Sequence, residues 1–234
     1  MKVAIMQPYF FPYLGYFQLI SAVEKFVFYD DVNFIKNGWV NRNRIIQGGK
    51  VNYVTLPLSA ASSFKKINEI RVQSGEGWRK KTLESIRHAY SKAPYFDEIG
   101  DIVSEVINSN DLLVSEVAKL SVEKVSKYLG LTAEFIRSSS VYSNASLGGA
   151  ERVLDICRQA GASEYINLPG GRDLYDPELF SSRGIDLHFI NPVLRPYKQT
   201  TKEFHPGLSI IDVLMFNHKD AVLEMLAFEG DVEY

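Results

Sequence analysis

The fold is decided between residues 2 and 45, where the sequence reads KVAIMQPYFFPYLGYFQLISAVEKFVFYDDVNFIKNGWVNRNRI. The apolar run Val3–Met6 predicts a buried strand, and apolar residues at helical spacing over Leu14–Ile20 predict a helix after it. A second apolar run, Lys25–Tyr29, ends directly on a pair of aspartates. A strand, a helix and a second strand form the start of a βαβ unit, in which the two strands run parallel.

The remainder of the chain continues this alternation, with two additions. A glycine pair between two alternating apolar runs predicts a β-hairpin, and three helical patterns follow over residues 78–130. Strands and helices alternate again from Thr132 to Ile190, and two short helices follow over residues 209–216 and 221–228. We predict a single α/β domain over residues 1–234, with a mainly parallel, Rossmann-like sheet, a hairpin extension and a helical insertion.

The composition is that of a soluble globular protein without a strong charge. The 234 residues carry a formal net charge of −2, which gives no electrostatic basis for binding nucleic acid or an anionic membrane. Cys157 is the single cysteine, and its apolar helical setting predicts a buried, unreactive thiol. No signal peptide or membrane-spanning run is recognisable. We expect a cytoplasmic protein with no membrane insertion and no nucleic-acid partner, and we leave homodimerisation open.

Polar side chains gather after the second predicted strand. Asp30 and Asp31 stand at its carboxyl end, a common position for a carboxylate that contacts a ribose, a metal ion or a base. Either carboxylate could equally cap the following turn. The next dozen positions add side chains that suit a sugar or phosphate, namely Asn33, Lys36, Trp39, Asn41, Arg42 and Asn43. We predict the aspartates as catalytic and these six as substrate-binding, although a solvated edge strand also explains positions 41–44.

The loop after the first predicted strand is rich in aromatic residues and reads QPYFFPY from Gln7 to Tyr13. In the nucleotidylyl-transferase superfamily, a loop in this place carries a His-x-Gly-His motif whose histidines stabilise phosphate charge. The corresponding residues here are Tyr13-Leu14-Gly15-Tyr16, which keep the glycine but neither histidine. This resemblance implies a shared topology with a different reaction. We predict Gln7, Tyr9 and Tyr13 as substrate-binding residues.

The turn Pro169–Asp173 follows another predicted strand. Its glycines could expose backbone N–H groups to an anion, although a tight turn with glycine at positive φ explains it equally well. We include Gly170, Gly171, Arg172 and Asp173 among the substrate-binding residues.

A third candidate segment contains Lys198 and His205. His205 has the most loop-like and aromatic-rich setting of the four histidines, which favours it as a general base, with a structural histidine as the alternative. Lys198 is predicted to bind substrate. No Cys/His cluster has metal-ligand spacing, so we predict no metal site.

The three polar loops each follow a predicted strand. In a parallel sheet such loops emerge at one edge, where ligands of open α/β folds bind. We therefore predict that Asp30, Arg172 and His205 line one cleft, with Tyr9 and Trp39 as its apolar wall.

Four sequence blocks resemble one known family. They are Met1–Ile20, Tyr29–Asn43, Tyr165–Asp173 and Phe204–Asp212. These blocks resemble the WbqC-like family, and the resemblance covers essentially the whole chain. Members of that family are typically encoded among bacterial genes for O-antigen and other surface polysaccharides. The resemblance therefore implies a nucleotide-linked sugar or amino-sugar substrate, and it implies no particular reaction.

The residue patterns and the family resemblance together favour a transferase that acylates or aminoacylates the amine of a nucleotide-linked sugar. Aromatic side chains would stack on the base or sugar, Arg42 and Arg172 would bind phosphate, and an aspartate or His205 would take the amine proton. The sequence does not identify the cofactor; a CoA or carrier-protein thioester is one acyl donor. The alternatives are a nucleotidyl-transfer or adenylate-forming enzyme and a non-catalytic subunit that binds a nucleotide sugar.

Overall fold

The computed structural model describes residues 1–227 and the strand Val232–Glu233. Its elements, in chain order, are β1 (Lys2–Met6), α1 (Leu14–Ser21), β2 (Lys25–Phe28), β3 (Arg42–Gln47), β4 (Lys50–Thr55), β5 (Leu58–Ser59), β6 (Arg71–Val72), α2 (Gly77–Tyr90), α3 (Phe96–Ile107), α4 (Val114–Leu129), β7 (Glu134–Ile136), α5 (Gly149–Ala160), β8 (Glu164–Asn167), α6 (Pro177–Ser182), β9 (Asp186–Ile190), α7 (Ile210–Phe216), α8 (Lys219–Leu226) and β10 (Val232–Glu233). The last predicted helix ran to Phe228, which lies outside the described residues.

A five-stranded parallel sheet forms the centre of the molecule. Its strands lie in the order β9-β8-β1-β2-β7, and β10 pairs with β9 as an antiparallel edge. Numbered along the chain, the five parallel strands are arranged 3-2-1-4-5, the order of doubly wound dinucleotide-binding folds. The prediction of a mainly parallel, Rossmann-like α/β sheet is therefore confirmed.

Side chains of the central strands alternate between two cores, because successive residues of a strand point to opposite faces of the sheet. Val3 and Ile5 of β1 pack into the core that contains α5 and α6. Ala4 of β1 and Phe26 and Phe28 of β2 pack into the larger core on the opposite face, together with α1. Helices therefore cover both faces, as a parallel sheet requires.

The segment between β2 and β7 holds both predicted additions. Strands β3 and β4 pair antiparallel, from Arg42 opposite Thr55 to Gln47 opposite Lys50. Helices α2, α3 and α4 occupy residues 77–129, which confirms the helices predicted for residues 78–130. Their buried side chains belong to the same core as those of α1, so the insertion packs onto the sheet.

Two further observations concern the expectations from composition. Cys157 is buried in α5, and burial raises the pKa of its thiol to about 12, so the thiol stays protonated near neutral pH. No helix within residues 1–227 is long and apolar enough to cross a membrane.

The turn predicted at Pro169–Asp173 is a short 3₁₀ helix over Pro169–Leu174.

Candidate functional site

A cleft of about 560 Å³ opens at the carboxyl end of the sheet. Met6 at the end of β1 and Asn167 at the end of β8 both line it. These two strands are numbers 1 and 4, the neighbours in the 3-2-1-4-5 order between which the winding of the chain reverses, and open α/β sheets bind ligands at this point. A larger depression of about 870 Å³ lies on α2, away from the strand ends. We therefore take the cleft between β1 and β8 as the candidate site.

Five aromatic side chains line this cleft. They are Tyr9, Tyr13, Tyr29, Trp39 and Tyr175. The four tyrosines are half-buried, and burial raises the pKa of each, to about 12 for Tyr13. Their hydroxyl groups therefore stay protonated near neutral pH and can donate hydrogen bonds. Aromatic faces combined with hydroxyl donors suit a ligand with flat or ring-shaped apolar surfaces and polar edges, such as a sugar or a nucleobase.

The loop that carries Tyr9 and Tyr13 is held by hydrogen bonds from three distant segments. Asn43 Nδ2 donates to the backbone oxygen of Phe11 at 2.9 Å, and Ser209 Oγ donates to the same oxygen at 2.8 Å. The backbone N–H of Phe11 donates to Ser121 Oγ at 2.9 Å. Phe11 has φ of 39°, a left-handed conformation that residues other than glycine rarely adopt. The surrounding hydrogen bonds hold this strained turn beside the cleft.

Arg44 is the cationic side chain of the cleft, and Gln7, Asn43 and Asn167 supply its amides. The guanidinium donates through Nη2 to the backbone oxygen of Gly207 at 2.9 Å. No carboxylate occurs among the described residues that line the cleft. The described part of the cleft is therefore aromatic, amide-rich and positively charged.

Asp30 and Asp31 are buried beside the cleft in separate ion pairs, and neither lines it. Asp30 accepts from Lys119 Nζ of α4 at 2.7 Å and from Ser138 Oγ at 2.7 Å. Asp31 accepts from Arg152 Nη2 of α5 at 2.5 Å. The two carboxylates thus tie the end of β2 to a helix on each side of the sheet.

The polar residues after Asp31 divide between the cleft and the outer surface. Trp39 and Asn43 line the cleft, whereas Asn33, Lys36, Asn41 and Arg42 do not. Lys36 is exposed, Asn33 accepts from Lys66, and Asn41 donates to the backbone oxygen of Leu56. Arg42 donates to the backbone oxygens of Asn37 and Gly38 and lies over the Tyr53 ring, with its guanidinium carbon 4.3 Å from the ring centre.

The turn after β8 contributes its glycines to the cleft. Gly170 and Gly171 line it, whereas Arg172 and Asp173 are exposed and do not. The guanidinium carbon of Arg172 lies 5.3 Å from the ring centre of Phe189. A Cβ atom at Gly171 would come within 2.3 Å of Asn167 Nδ2, so a side chain at this position would displace the Asn167 amide from the cleft wall.

Lys198 and His205 lie in the segment between β9 and α7, and neither lines the cleft. Lys198 is exposed. The backbone of His205 is held by Gln199, whose side chain donates to its oxygen and accepts from its N–H. Seven of the predicted site residues therefore line the cleft: Gln7, Tyr9, Tyr13, Trp39, Asn43, Gly170 and Gly171. The prediction that Asp30, Arg172 and His205 line this cleft with Tyr9 and Trp39 is not met, because all three lie outside it.

Comparisons with known proteins agree with the resemblance in the sequence blocks. The model of the WbqC-like protein family matches residues 7–224. The chain belongs to the WbqC-like family. The chain is also 33% identical over 219 residues to the uncharacterized protein Rv1507c of Mycobacterium tuberculosis, an alignment that spans 92% of this chain and 93% of the relative. No solved structure matches the chain.

Family membership is consistent with a role connected to polysaccharides. Several residues that line the cleft of this WbqC-like protein were not among the site residues predicted from the sequence, chiefly Tyr29, Arg44, Asn167 and Tyr175. Tyr29 and Asn167 could have been found, since each stands where a strand ends at the binding edge of the sheet. Arg44 shares a strand face with Arg42, so only the three-dimensional path of the hairpin distinguishes them.

Asp212 in α7 adds a pH-dependent contribution to stability. Its carboxylate is fully buried and accepts from Tyr90 Oη at 2.8 Å and Tyr197 Oη at 2.7 Å. Burial raises the pKa of Asp212 above its usual value, and this effect outweighs the lowering by the hydrogen bonds and by the nearby His205. Because the raised pKa favours the protonated form in the folded state, this carboxyl group destabilises the fold progressively as the pH rises above about 4.

We therefore expect Asp212→Asn to gain stability relative to the wild type as the pH rises from about 4 toward the raised pKa of Asp212, since asparagine does not ionise. Urea unfolding of both proteins at several pH values in this range measures the difference. A difference that stays constant, or that changes in favour of the wild type as the pH rises, would contradict a raised pKa for Asp212.

Proposed function

We propose that this WbqC-like protein is a transferase that acts on a nucleotide-linked amino sugar in surface-polysaccharide synthesis. In this proposal it transfers an acyl or aminoacyl group to the sugar amine. The observation that carries the proposal is the cleft at the switch point of the sheet, where five aromatic rings, three amides and Arg44 converge. Aromatic rings bind sugar and base faces, amides bind sugar hydroxyls, and a guanidinium binds phosphate.

The charge of the cleft supports an amine as the nucleophile. An apolar wall and a nearby guanidinium both disfavour an ammonium ion, so they lower the pKa of a bound amine and favour its neutral, nucleophilic form. The amine nitrogen then attacks the carbonyl carbon of a thioester, a C–N bond forms, and the C–S bond breaks. The amine proton leaves with the departing thiolate as a thiol. A CoA or carrier-protein thioester would supply the acyl group.

This chemistry assigns different roles to the residues that the sequence favoured as catalytic. Asp30 and Asp31, in their ion pairs, hold the end of β2 and the adjacent Tyr29. The backbone of His205, through its hydrogen bonds with the Gln199 side chain, holds the segment that leads to Gly207. Tyr9 and Tyr13, which stay protonated, can donate to the carbonyl oxygen as negative charge develops on it.

A second candidate function is a non-catalytic subunit that binds a nucleotide sugar. One observation favours it: the described lining of the cleft contains no Cys, His, Ser, Asp or Glu side chain that could act as a nucleophile or base. Binding without turnover distinguishes this candidate from the transferase.

The test combines binding and turnover with UDP- and dTDP-linked amino sugars and a panel of acyl- and aminoacyl-thioesters. We expect the wild type to bind at least one nucleotide sugar and to release a thiol as an amide forms, detected by mass spectrometry. Trp39→Ala should weaken binding by about 5- to 150-fold, because stacking on one aromatic ring contributes about 1–3 kcal/mol.

Tyr53→Ala is the matched control. The Tyr53 ring lies 6.4 Å from Trp39 and is half exposed, but it does not line the cleft, so the control should bind as the wild type does. Binding without any product would support the non-catalytic subunit. No binding of any nucleotide sugar would refute both candidates.

A further inference from the structure

The cleft contains a guanidinium whose charge no described side chain neutralises. The Arg44 side chain makes no ion pair with any carboxylate in residues 1–227; its hydrogen bonds are to the backbone oxygens of Gly207, at 2.9 Å, and Pro206, at 3.4 Å. Both contacts use Nη2. The Nε atom is buried and has no hydrogen-bond partner among the described atoms. A charged side chain with unused donors beside an open cleft calls for an anionic partner.

The surroundings of Arg44 fix the position of its charge. The ring of Trp39 lies 5.7 Å from the guanidinium carbon, and the carbonyl of Gly207 anchors one end of the fork. Gly207 has φ of 66°, and a Cβ atom there would lie 3.1 Å from Arg44 Nη2. A glycine at this position therefore allows the backbone to bend and the guanidinium to approach it. Gly207 acts as a positioning residue for the charge.

Arg42 on the same strand is a useful contrast. Its Nε and Nη2 atoms both donate to backbone oxygens, and its guanidinium lies against Tyr53, outside the cleft. Arg44 combines a place in the cleft lining with guanidinium donors that no described atom accepts: the buried Nε, and Nη1 on the outer end of the fork.

We propose that Arg44 is the residue that binds the diphosphate bridge of the nucleotide-linked sugar. This inference rests on the proposed function, because it assigns an anion subsite within the same cleft. A planar guanidinium binds two phosphate oxygens at once, and the rings of Trp39 and the tyrosines line the same cleft, where they can contact the base or sugar. A sugar carboxylate offers the same oxyanion chemistry, so the test separates the two sources.

The experiment measures binding of inorganic pyrophosphate, of the common nucleoside diphosphates, of the matching nucleosides and of glucuronate by titration calorimetry. The proteins are the wild type, Arg44→Gln, Arg44→Lys, Gly207→Ala and the two controls Arg42→Gln and Lys50→Gln. Each control removes a positive charge from the same hairpin outside the cleft, and Lys50 is exposed. Melting temperatures verify that each variant is folded.

We expect Arg44→Gln to weaken pyrophosphate and nucleoside diphosphate binding by about 10- to 150-fold, as for loss of a hydrogen bond to a charged group. Nucleoside binding should change by less than about threefold, since it lacks the charged contact. The diphosphate affinity of Arg44→Lys should lie between those of the wild type and Arg44→Gln, because lysine keeps the charge but lacks the forked pair of donors. Lys50→Gln should bind as the wild type does, and Gly207→Ala should weaken diphosphate binding more than nucleoside binding.

Equal affinity of Arg44→Gln and the wild type for diphosphates would overturn this inference and leave the proposed function intact. The same would follow if Arg42→Gln or Lys50→Gln weakened binding as much as Arg44→Gln, because the effect would then be one of overall charge. Selective loss of glucuronate binding would assign Arg44 to a sugar carboxylate and overturn the diphosphate assignment. Failure of the wild type to bind any nucleotide or nucleotide sugar would refute the proposed function as well.

Discussion

Lys119→Met is expected to lower the free energy of unfolding by about 3–5 kcal/mol, the range for removing one partner of a buried ion pair. The Lys119 and Asp30 side chains are 1% and 2% exposed, with 2.7 Å between Nζ and Oδ2. Methionine has a similar length but no charge, so Asp30 would keep its carboxylate in the core with only the hydroxyl of Ser138 to bind it. Urea unfolding of the variant and the wild type measures the loss.

Two further variants separate the ion pair from its surroundings. Lys124→Met, on the same helix, removes a lysine that is 37% exposed and pairs with Glu105, so it should cost less than about 1 kcal/mol. The double variant Lys119→Met with Asp30→Asn should recover much of the lost stability, because no buried charge remains unpaired. If Lys119→Met unfolds as the wild type does, while Asp30→Asn folds normally and loses turnover, then Asp30 acts in catalysis.

The ion pairs of Asp30 and Asp31 could not be predicted from the sequence. Asp30 and Asp31 at the end of a strand have the pattern of a catalytic or ribose-binding pair, and the sequence gives no local sign of their partners. Lys119 is 89 positions from Asp30, and Arg152 is 121 positions from Asp31. Such pairing depends on how α4 and α5 pack against the sheet, which periodicity does not encode. A carboxylate buried in an ion pair and one facing a ligand are therefore indistinguishable in this segment of sequence.

Other features could be predicted because they depend on local patterns. Apolar periodicity located the five parallel strands, the hairpin and the three inserted helices, and the aromatic loop after β1 does line the cleft. Strand order was not visible, yet it determines that the ends of β1 and β8 flank the binding position. That is why Tyr9 and Gly170 meet in one cleft, whereas His205, chosen for its loop setting alone, lies outside it.

Gly15→Ala is expected to destabilise the protein by about 1–3 kcal/mol, although alanine is the better helix former. Gly15 lies in the first turn of α1, where a Cβ atom would come within 2.5 Å of the Tyr13 ring and 2.7 Å of Pro192 Cβ. Pro192 is a rigid ring, so relief of both overlaps requires the α1 backbone and the Tyr13 ring to shift, and that ring lines the cleft. The variant should therefore lose ligand affinity together with stability, as measured by urea unfolding and by titration with the nucleotide sugar that the wild type binds.

Gly100→Ala in α3 provides the matched control for this substitution. A Cβ atom at Gly100 meets only the Phe96 ring, at 3.9 Å, which is ordinary van der Waals contact. Its exchange for alanine should stabilise the protein by up to about 1 kcal/mol, from helix propensity alone, and leave ligand binding unchanged. If Gly15→Ala behaves like Gly100→Ala in both measurements, the packing of Gly15 against Tyr13 and Pro192 does not hold the cleft wall. Destabilisation with full ligand affinity would show that the Tyr13 ring can move without harm to the site.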